Sequence, residues 1–568
     1  MFRKSSRYIS HSIAFEEAVT DTVGAEHFNS GRMEGKFELP LARRNILLVA
    51  LICIGISLLY LTKLFGLQVI HGSEYSQLSV NNTVFKNPII AERGVLYDRN
   101  EELIAWNEFD RSGMYSFPMR TYTNRTGLGQ LVGYVSYPAK DKNGFYYNTE
   151  YTGRSGAESA FNTTLRGENG TQIIELNALQ EVVAAHEVEV PQAGKPVHLS
   201  VDVELSEALY QLIATSSAQA GFRSGAGAIM DVTTGELIAM TSFPSYDPEV
   251  MADGDDVALI EAYNADERLP FLNKIHAGVY TPGSVVKPFM AYAALKEGVI
   301  SPEKEILSTG EIVVPNPYDP TNPARFTDWR AHGLVDARKA LAFSSNVYFY
   351  YVSGGFNDQE GVGIDKMHEY FSLFGFGQPT GFMLANEQVG TVPSRSWKEQ
   401  VFNEPWRLGN TYHTSIGQFG WQTTPLQMLV AYAALANGGK FFTPHLYKDE
   451  VGESVTKDLD PRILKIIREG MRMAVNYDGG TARGLERNDL AIAAKSGTAE
   501  VGAGNAYVNS WAAGYWPYED PQYAFVLMME HAPRSNRLGA TNIMGQFVDW
   551  MAEHTPAYLG LPEVSTDE

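Results

Sequence analysis

Gly225-Ala-Gly-Ala-Ile-Met-Asp-Val-Thr-Thr-Gly-Glu-Leu-Ile-Ala-Met-Thr241 places two apolar runs on either side of Thr234-Gly235. Small and β-branched residues flanking a Thr-Gly pair predict two antiparallel strands around a tight turn. Upstream, Leu205 to Ala214 has helical periodicity. Downstream, helical stretches begin at Ser284, Asp336, Pro425 and Pro461. Near the end, Ala491 to Val501, Ser510 to Tyr515 and Tyr523 to Glu530 read as three further strands, with a final helix from Asn542. Strands first, helices in the middle and strands last predict an α+β unit, a mostly antiparallel sheet with helices on its faces.

The chain has 568 residues, with 66 acidic and 45 basic side chains and a net charge of -21. That length implies more than one folded unit and a large core. So acidic a chain is not a nucleic-acid binder, because a phosphate backbone must be neutralised by Lys and Arg. The one cysteine, Cys53, excludes an internal disulfide framework and a thiolate metal site. From Asn45 to Thr62 the chain carries no charge, close to the roughly 20 apolar residues that cross a lipid bilayer. A polar stretch precedes this run and no Ala-x-Ala-like site follows it, so an uncleaved single-pass anchor is expected in the cell membrane. Arg43, Arg44, Arg32 and Lys36 lie on its N-terminal side, which places the tail in the cytoplasm and the long C-terminal part outside.

The expected division is a mostly flexible cytoplasmic tail over 1–44, a transmembrane anchor over 45–67 and an irregular, partly β pedestal of dimerisation type over 68–198. A catalytic domain over 199–555 and a C-terminal tail over 556–568 complete it. Gly72 to Asn82 reads as a short helix, Pro88 to Asn100 as a β-like start ending in a turn, and Thr171 to Leu176 as an alternating strand.

Three polar strings carry the chemistry. In Thr281-Pro-Gly-Ser284-Val-Val-Lys287-Pro288, Pro288 is tolerated only near a helix start, so the helix begins close to Ser284. The Ser284 hydroxyl then sits at the positive end of the helix dipole, and Lys287 shares its face as proton acceptor. Accepting a proton requires a neutral lysine, which burial or a neighbouring cation such as Lys495 would favour. Ser344-Ser345-Asn346 precedes the aromatic run Val347-Tyr-Phe-Tyr-Tyr351, so Ser344 can relay a proton and Asn346 can grip a peptide amide. Lys495-Ser496-Gly497-Thr498 lies on a short apolar strand. Glycine there marks a close approach, and Lys495, Ser496 and Thr498 can clasp a carboxylate. The backbone N–H groups of Thr498 and Ser284 could pair on an oxyanion. Taken singly, these strings read as a solvated helix face, a helix cap and a charged edge strand. Their occurrence together, in this order, does not.

The region from Leu199 onward resembles the transpeptidase domain of class B penicillin-binding proteins, in which S-x-x-K, S-x-N and K-[ST]-G recur in this order. Ser245-Tyr-Asp-Pro248, Ser415-Ile-Gly-Gln418, Thr424-Pro-Leu-Gln427 and Ala436-Asn-Gly-Gly439 extend the likeness. Arg93-Gly-Val-Leu-Tyr-Asp-Arg-Asn100 and Gly153-Arg-Ser-Gly-Ala-Glu158 resemble that family's pedestal motifs, and Leu67-Gln-Val-Ile-His-Gly72 its membrane-proximal stretch.

The resemblance implies a peptidoglycan D,D-transpeptidase acting on stem peptides that end in D-Ala-D-Ala. Catalytic residues are then Ser284, Lys287, Ser344 and Lys495, with Asn346, Ser496, Gly497 and Thr498 binding substrate. Acyl-enzyme formation on Ser284 releases D-Ala, and β-lactams acylate the same serine. No metal or organic cofactor is implied, and a membrane glycan polymerase of the elongation or division machinery is the implied partner. Two rivals share these residues: a D,D-carboxypeptidase or β-lactamase-like hydrolase, and a β-lactam sensor or cell-wall scaffold. G-x-S-x-G, H-E-x-x-H, C-x-x-C and the P-loop pattern do not occur in the sequence.

Overall fold

The computed structural model describes residues 43–76, 84–109, 115–142, 145–176, 182–316 and 319–562. The expected tail over 1–44 therefore lies outside the described residues except for Arg43 and Arg44. By its internal packing the chain divides into two units.

The first unit, residues up to Phe85 with Glu175–Val183, is dominated by helix α1, Arg43–Phe65. A wider π-type turn, Gly66–Ile70, extends it. Together they make 28 residues, none buried in the 18-residue apolar window. At 1.5 Å per residue that is about 42 Å, enough to cross a hydrocarbon layer of about 30 Å. Residues 72–76 are helical as expected, and the remainder of that short helix lies outside the described residues.

The second unit holds everything from Lys86 to Ile174 and from Ala184 on. Its N-terminal part carries a four-stranded sheet in the order Val197–His198, Leu96–Tyr97, Leu103–Glu108, Met119–Tyr122. The two pedestal motifs meet there in a buried ion triad. Arg93 Nε donates to Glu158 Oε2 at 2.6 Å and Arg120 Nε to Glu158 Oε1 at 2.7 Å, all three side chains being fully buried. Thr241 Oγ1 donates to Gly127 O at 2.9 Å, and Ser245 Oγ donates to Gln130 Oε1 at 2.8 Å. The Ser245-Tyr-Asp-Pro248 motif is thus where the pedestal docks.

The catalytic part is built on five antiparallel strands: β1 Ser224–Asp231, β2 Leu237–Phe243, β3 Ala493–Val501, β4 Tyr507–Trp516 and β5 Tyr523–Pro533. Their order is β2-β1-β5-β4-β3, which leaves β3 at an edge. β1, β2, β4 and β5 are buried along most of their length, with both faces covered, whereas the edge strand β3 carries Lys495, Ser496, Thr498 and Glu500. Ala226, Ala228, Met230, Trp511, Val526 and Met528 face one core. The intervening Ile229, Ala512, Phe525, Leu527 and Met529 face the other. That alternation is the period of two of a strand.

Helix α2, Val203–Ala220, covers the second face together with α7, Ala540–His554. The first face is covered by α5, Pro425–Asn437, in which every residue before Asn437 is buried. Its start is doubly fixed: Thr424 accepts from Gln427 N while the Gln427 side chain returns to Thr424 N, with Pro425 in the first turn. That reciprocal cap satisfies two N–H groups a buried helix end would otherwise orphan. Helix α6, Pro461–Asn476, shows the amphipathic alternative, burying Ile463, Leu464, Ile467 and Met471.

Two boundaries differ from expectation. The α-helix after the nucleophile motif, α3, begins at Lys287 and runs to Lys296, while Gly283–Val286 is a 3₁₀ turn leading into it. Pro288 sits in α3's first turn, where its missing N–H costs nothing, so Ser284 lies one turn before the α-helix proper. At the C-terminus the folded unit runs past 555: Pro556–Leu559 is a further 3₁₀ turn with Leu559 buried in the second core. Tyr558 OH reaches Asp202 Oδ2 at 2.9 Å.

Candidate active site

Ser284, half-buried, stands on a turn tied down from three sides. Gly283 N donates to Gly417 O at 3.0 Å, Tyr432 OH to Val285 O at 2.7 Å, and Trp511 Nε1 to Thr281 O at 3.0 Å. The turn presses on the edge strand β3. A Cβ on Gly283, whose φ is +60°, would lie 2.7 Å from Thr498 O. A Cβ on Gly497 would lie 2.9 Å from Val285 Cγ1 and 3.0 Å from Pro282 O. Only glycine at both positions lets nucleophile turn and strand approach this closely.

Lys287 is fully buried at the start of α3. Its Nζ donates to Ser344 O at 2.7 Å, Ser344 Oγ at 3.2 Å and Asn346 Oδ1 at 2.7 Å. The lysine of the first motif is thus gripped by the second. Burial pushes it down to about 7, against the carboxylate of Asp328, which favours the charged form. All three of the Lys287 hydrogen bonds go to the Ser344–Asn346 turn, and the contact with Ser284 expected from their shared helix face is not among them.

Ser344 adopts a left-handed backbone with φ +57°, a strained conformation for a residue with a Cβ. This turn points both its carbonyl and its hydroxyl at Lys287. Ser345 is the N-cap of α4, Asn346–Gly354, the helix-cap role the triplet suggests when read alone. Asn346 Nδ2 donates to Thr327 O at 3.3 Å.

Lys495 is also fully buried, and its Nζ donates to Ser496 O at 2.9 Å. Burial lowers its affinity for a proton, and repulsion from Lys287 lowers it further. The two amines repel each other, and burial is the largest cause that depresses each of them. Ser496 Oγ donates to Thr481 Oγ1 at 2.7 Å, while Thr498 is exposed.

The free edge of β3 can be assigned from its neighbours. Gln418, oriented to satisfy both halves of its amide, accepts from Glu500 N at 3.0 Å and donates to Glu500 O at 3.3 Å. Alternate residues of an antiparallel strand point their backbone groups the same way. Thr498, two residues before Glu500, therefore also turns its N–H and carbonyl to the unpaired edge, beside the Ser284 turn. A cleft of about 410 Å³ borders this edge, lined by Tyr280, Thr281, Gln418, Glu500, Asn509 and Glu530 among others. It runs beside the nucleophile turn rather than enclosing Ser284.

Sequence reasoning missed four residues here. Thr481 holds Ser496, and Gln418 caps the edge strand. Asp328 and His332, in the connection after strand Ala324–Thr327, have fully buried side chains beneath the Ser344–Asn346 turn. Asp328 Oδ2 accepts from Ser345 Oγ at 2.9 Å and from Val347 N at 3.0 Å. Burial would raise this carboxyl, but His332, Lys287 and the Val347 N–H together hold it down at about 2. Their only sequence signal was an acidic residue and a histidine four apart in a loop. Among the described residues no three His, Cys, Asp or Glu side chains gather as a metal would require.

The arrangement offers a turn-borne hydroxyl, two buried amines and an unpaired strand edge: the parts of an acyl-transfer site working on an extended peptide. The model of the penicillin binding protein transpeptidase domain matches residues 225–549, and that of the penicillin-binding protein dimerisation domain matches 113–199. Two proteins called peptidoglycan D,D-transpeptidase MrdA are each 31% identical to the chain. That of Haemophilus influenzae aligns over 73% of this chain and 66% of its own length. That of Salmonella typhimurium strain SL1344 aligns over 80% and 77%. The Helicobacter pylori penicillin-binding protein PBP2, solved in complex with MreC, superposes with a TM-score of 0.69 at 26% identity, covering 83% of this chain and 99% of that one.

Proposed function

Because the chain belongs to the penicillin-binding protein transpeptidase family and is a serine-type peptidoglycan D,D-transpeptidase, we propose that Ser284 is its nucleophile and that Lys287, Ser344 and Lys495 move the protons. A stem peptide lies along the free edge of β3 as an added strand, its terminal carboxylate against Lys495, Ser496 and Thr498. Lys287, neutral near pH 7, takes the Ser284 proton as the oxygen attacks the penultimate D-Ala carbonyl. The backbone N–H groups of Ser284 and Thr498 hold the oxyanion. Collapse breaks the peptide bond, and the departing D-Ala amine is protonated through Ser344 and Lys495. A second strand's amine then attacks the ester and restores the serine. Asn346, held between Lys287 and Thr327 O, keeps its amide at the cleft edge for the donor peptide. Gly497 supplies the close approach.

The observation that carries this reading is the junction of all three motifs: Lys287 bonded to Ser344 and Asn346, with the Ser284 turn packed on Gly497 and Thr498. Fluorescent penicillin labelling followed by peptide mapping tests it. One adduct on Ser284, absent in Ser284→Ala, is expected; an adduct elsewhere refutes the assignment. Cross-linked dimers from a donor peptide plus an amine acceptor separate transfer from hydrolysis, since a hydrolase would release D-Ala alone.

For the compartment the support is α1: among the described residues one helix is long and apolar enough to cross a membrane, and with basic residues on its N-terminal side it reads as a single-pass anchor with its N-terminus cytoplasmic and its catalytic part outside. The division at about residue 199 separates pedestal from transpeptidase domain. A membrane glycan polymerase contacting span and pedestal is the partner.

A further inference from the structure

The strained turn at Ser344 needs something to hold it, and neither the S-x-N motif nor α4 alone supplies it. A non-glycine residue at φ +57° persists only where its surroundings over-determine it. The residues after it are held by one carboxylate. Asp328 Oδ2 takes Ser345 Oγ at 2.9 Å and Val347 N at 3.0 Å, with Ser308 Oγ at 3.4 Å. The other oxygen, Oδ1, takes Trp329 N at 2.9 Å and lies 3.5 Å from His332 Nε2. Arg330 Nε donates to His332 Nδ1 at 3.3 Å, which leaves the Nε2 proton to face Asp328. The His332 ring stacks on Phe343, the residue before Ser344, at 5.9 Å and 4°.

We propose that Asp328, oriented by His332, is a positioning residue for acyl transfer, fixing the Ser344–Asn346 turn so that its two hydrogen-bonding faces meet the Lys287 amine. The carboxylate acts in two ways. It tethers the turn mechanically through Ser345 and Val347, and its negative charge faces Lys287 across the turn. Lys495 faces Lys287 from β3, and His332 and Tyr350 face Asp328 from the other sides. Lys287 thus feels both the Asp328 carboxylate and the Lys495 amine.

This inference rests on Ser284 and Lys287 being nucleophile and base, so its test is run beside Ser284→Ala in the full-length protein. The readout is the second-order rate of acylation by a fluorescent penicillin from pH 5 to 10, with thermal melting of each variant. Asp328→Asn keeps the shape and removes the charge. Its acylation should slow by about tenfold to a hundredfold, the range expected for a misplaced catalytic group. Its pH midpoint should also fall by about one unit, because the charge favouring protonated Lys287 is gone. Ser345→Ala cuts the tether and keeps the charge, so it should slow acylation with the midpoint unmoved. His332→Gln retains a donor toward Asp328 and should stay within about threefold of the parent, whereas His332→Leu should resemble Ser345→Ala. A parental rate and midpoint in Asp328→Asn overturns the inference, as does a rate loss with no midpoint shift that follows the folded fraction alone. If Asp328→Asn does not fold, a parental rate in Ser345→Ala overturns it. Continued labelling of Ser284→Ala would instead refute the site itself.

Discussion

As the proposed base, the buried amine of Lys287 would work in its neutral form, and its acidity is expected to set the pH of acylation. Burial brings it to about 7, and because Lys495 repels it the titration belongs to the pair. Acylation should therefore be slow below pH 6, rise through about 7 and level off by about 9, measured as the rate of penicillin labelling. Lys287→Ala should slow labelling by about a thousandfold, the usual contribution of a positioned base. Stability follows the same group with a definite sign. Between about 7 and the ordinary lysine value of 10.5, the unfolded chain holds a proton that the folded one lacks. Folding is therefore favoured as pH rises, by up to about 1.4 kcal/mol per pH unit. Melting curves of the parent and Lys287→Met at pH 7 and pH 9 should show a steeper rise in the parent, because Lys495, also held below the ordinary lysine value, contributes to both.

At the scale of elements, the edge strand β3 and the 3₁₀ turn are one device. Gly497→Ala would drive a methyl to 2.9 Å from Val285 Cγ1 and 3.0 Å from Pro282 O. The turn would have to withdraw, and penicillin labelling should fall by about a hundredfold while strand pairing with β4 survives in a still cooperative melt. Helix α5 supports the same turn from below through Tyr432 OH and Val285 O. Its cap is the weak point, because its N-terminal N–H groups are buried: Thr424→Ala should lower stability by about 1–2 kcal/mol, read by denaturant titration. Both elements were legible as a strand and a helix from their apolar runs. Their mutual approach was legible only as a glycine in an unusual place.

For the whole molecule, the buried triad of Arg93, Glu158 and Arg120 ties motifs 65 and 38 residues apart into one pedestal. Removing the shared carboxylate in Glu158→Ala leaves two guanidinium groups buried without a counter-charge. That should cost about 3–5 kcal/mol, seen as a lowered melting temperature of the full-length protein. The catalytic sheet itself is distant in sequence from this triad but meets the pedestal at Thr241, Ser245 and Gln130. A second, earlier melting transition in Glu158→Ala, with Ser284 labelling retained below it, would mark the pedestal as separable; one shared transition would mark a single cooperative block.

The apolar helix, the five strands and the three polar strings proposed as the site were all legible in the linear sequence, because each rests on local signals: an uncharged run, period-two apolarity, and proline and glycine punctuation. Tertiary structure decided what those strings do to one another. It turned Lys287 toward Ser344 and Asn346, buried Lys287 and Lys495 alike, started the α-helix one turn after Ser284, and put Asp328 and His332 beneath the second motif. Those outcomes depend on through-space contacts between residues tens to hundreds of positions apart. Burial and charge act over a few ångströms of space, a distance to which chain separation gives no key.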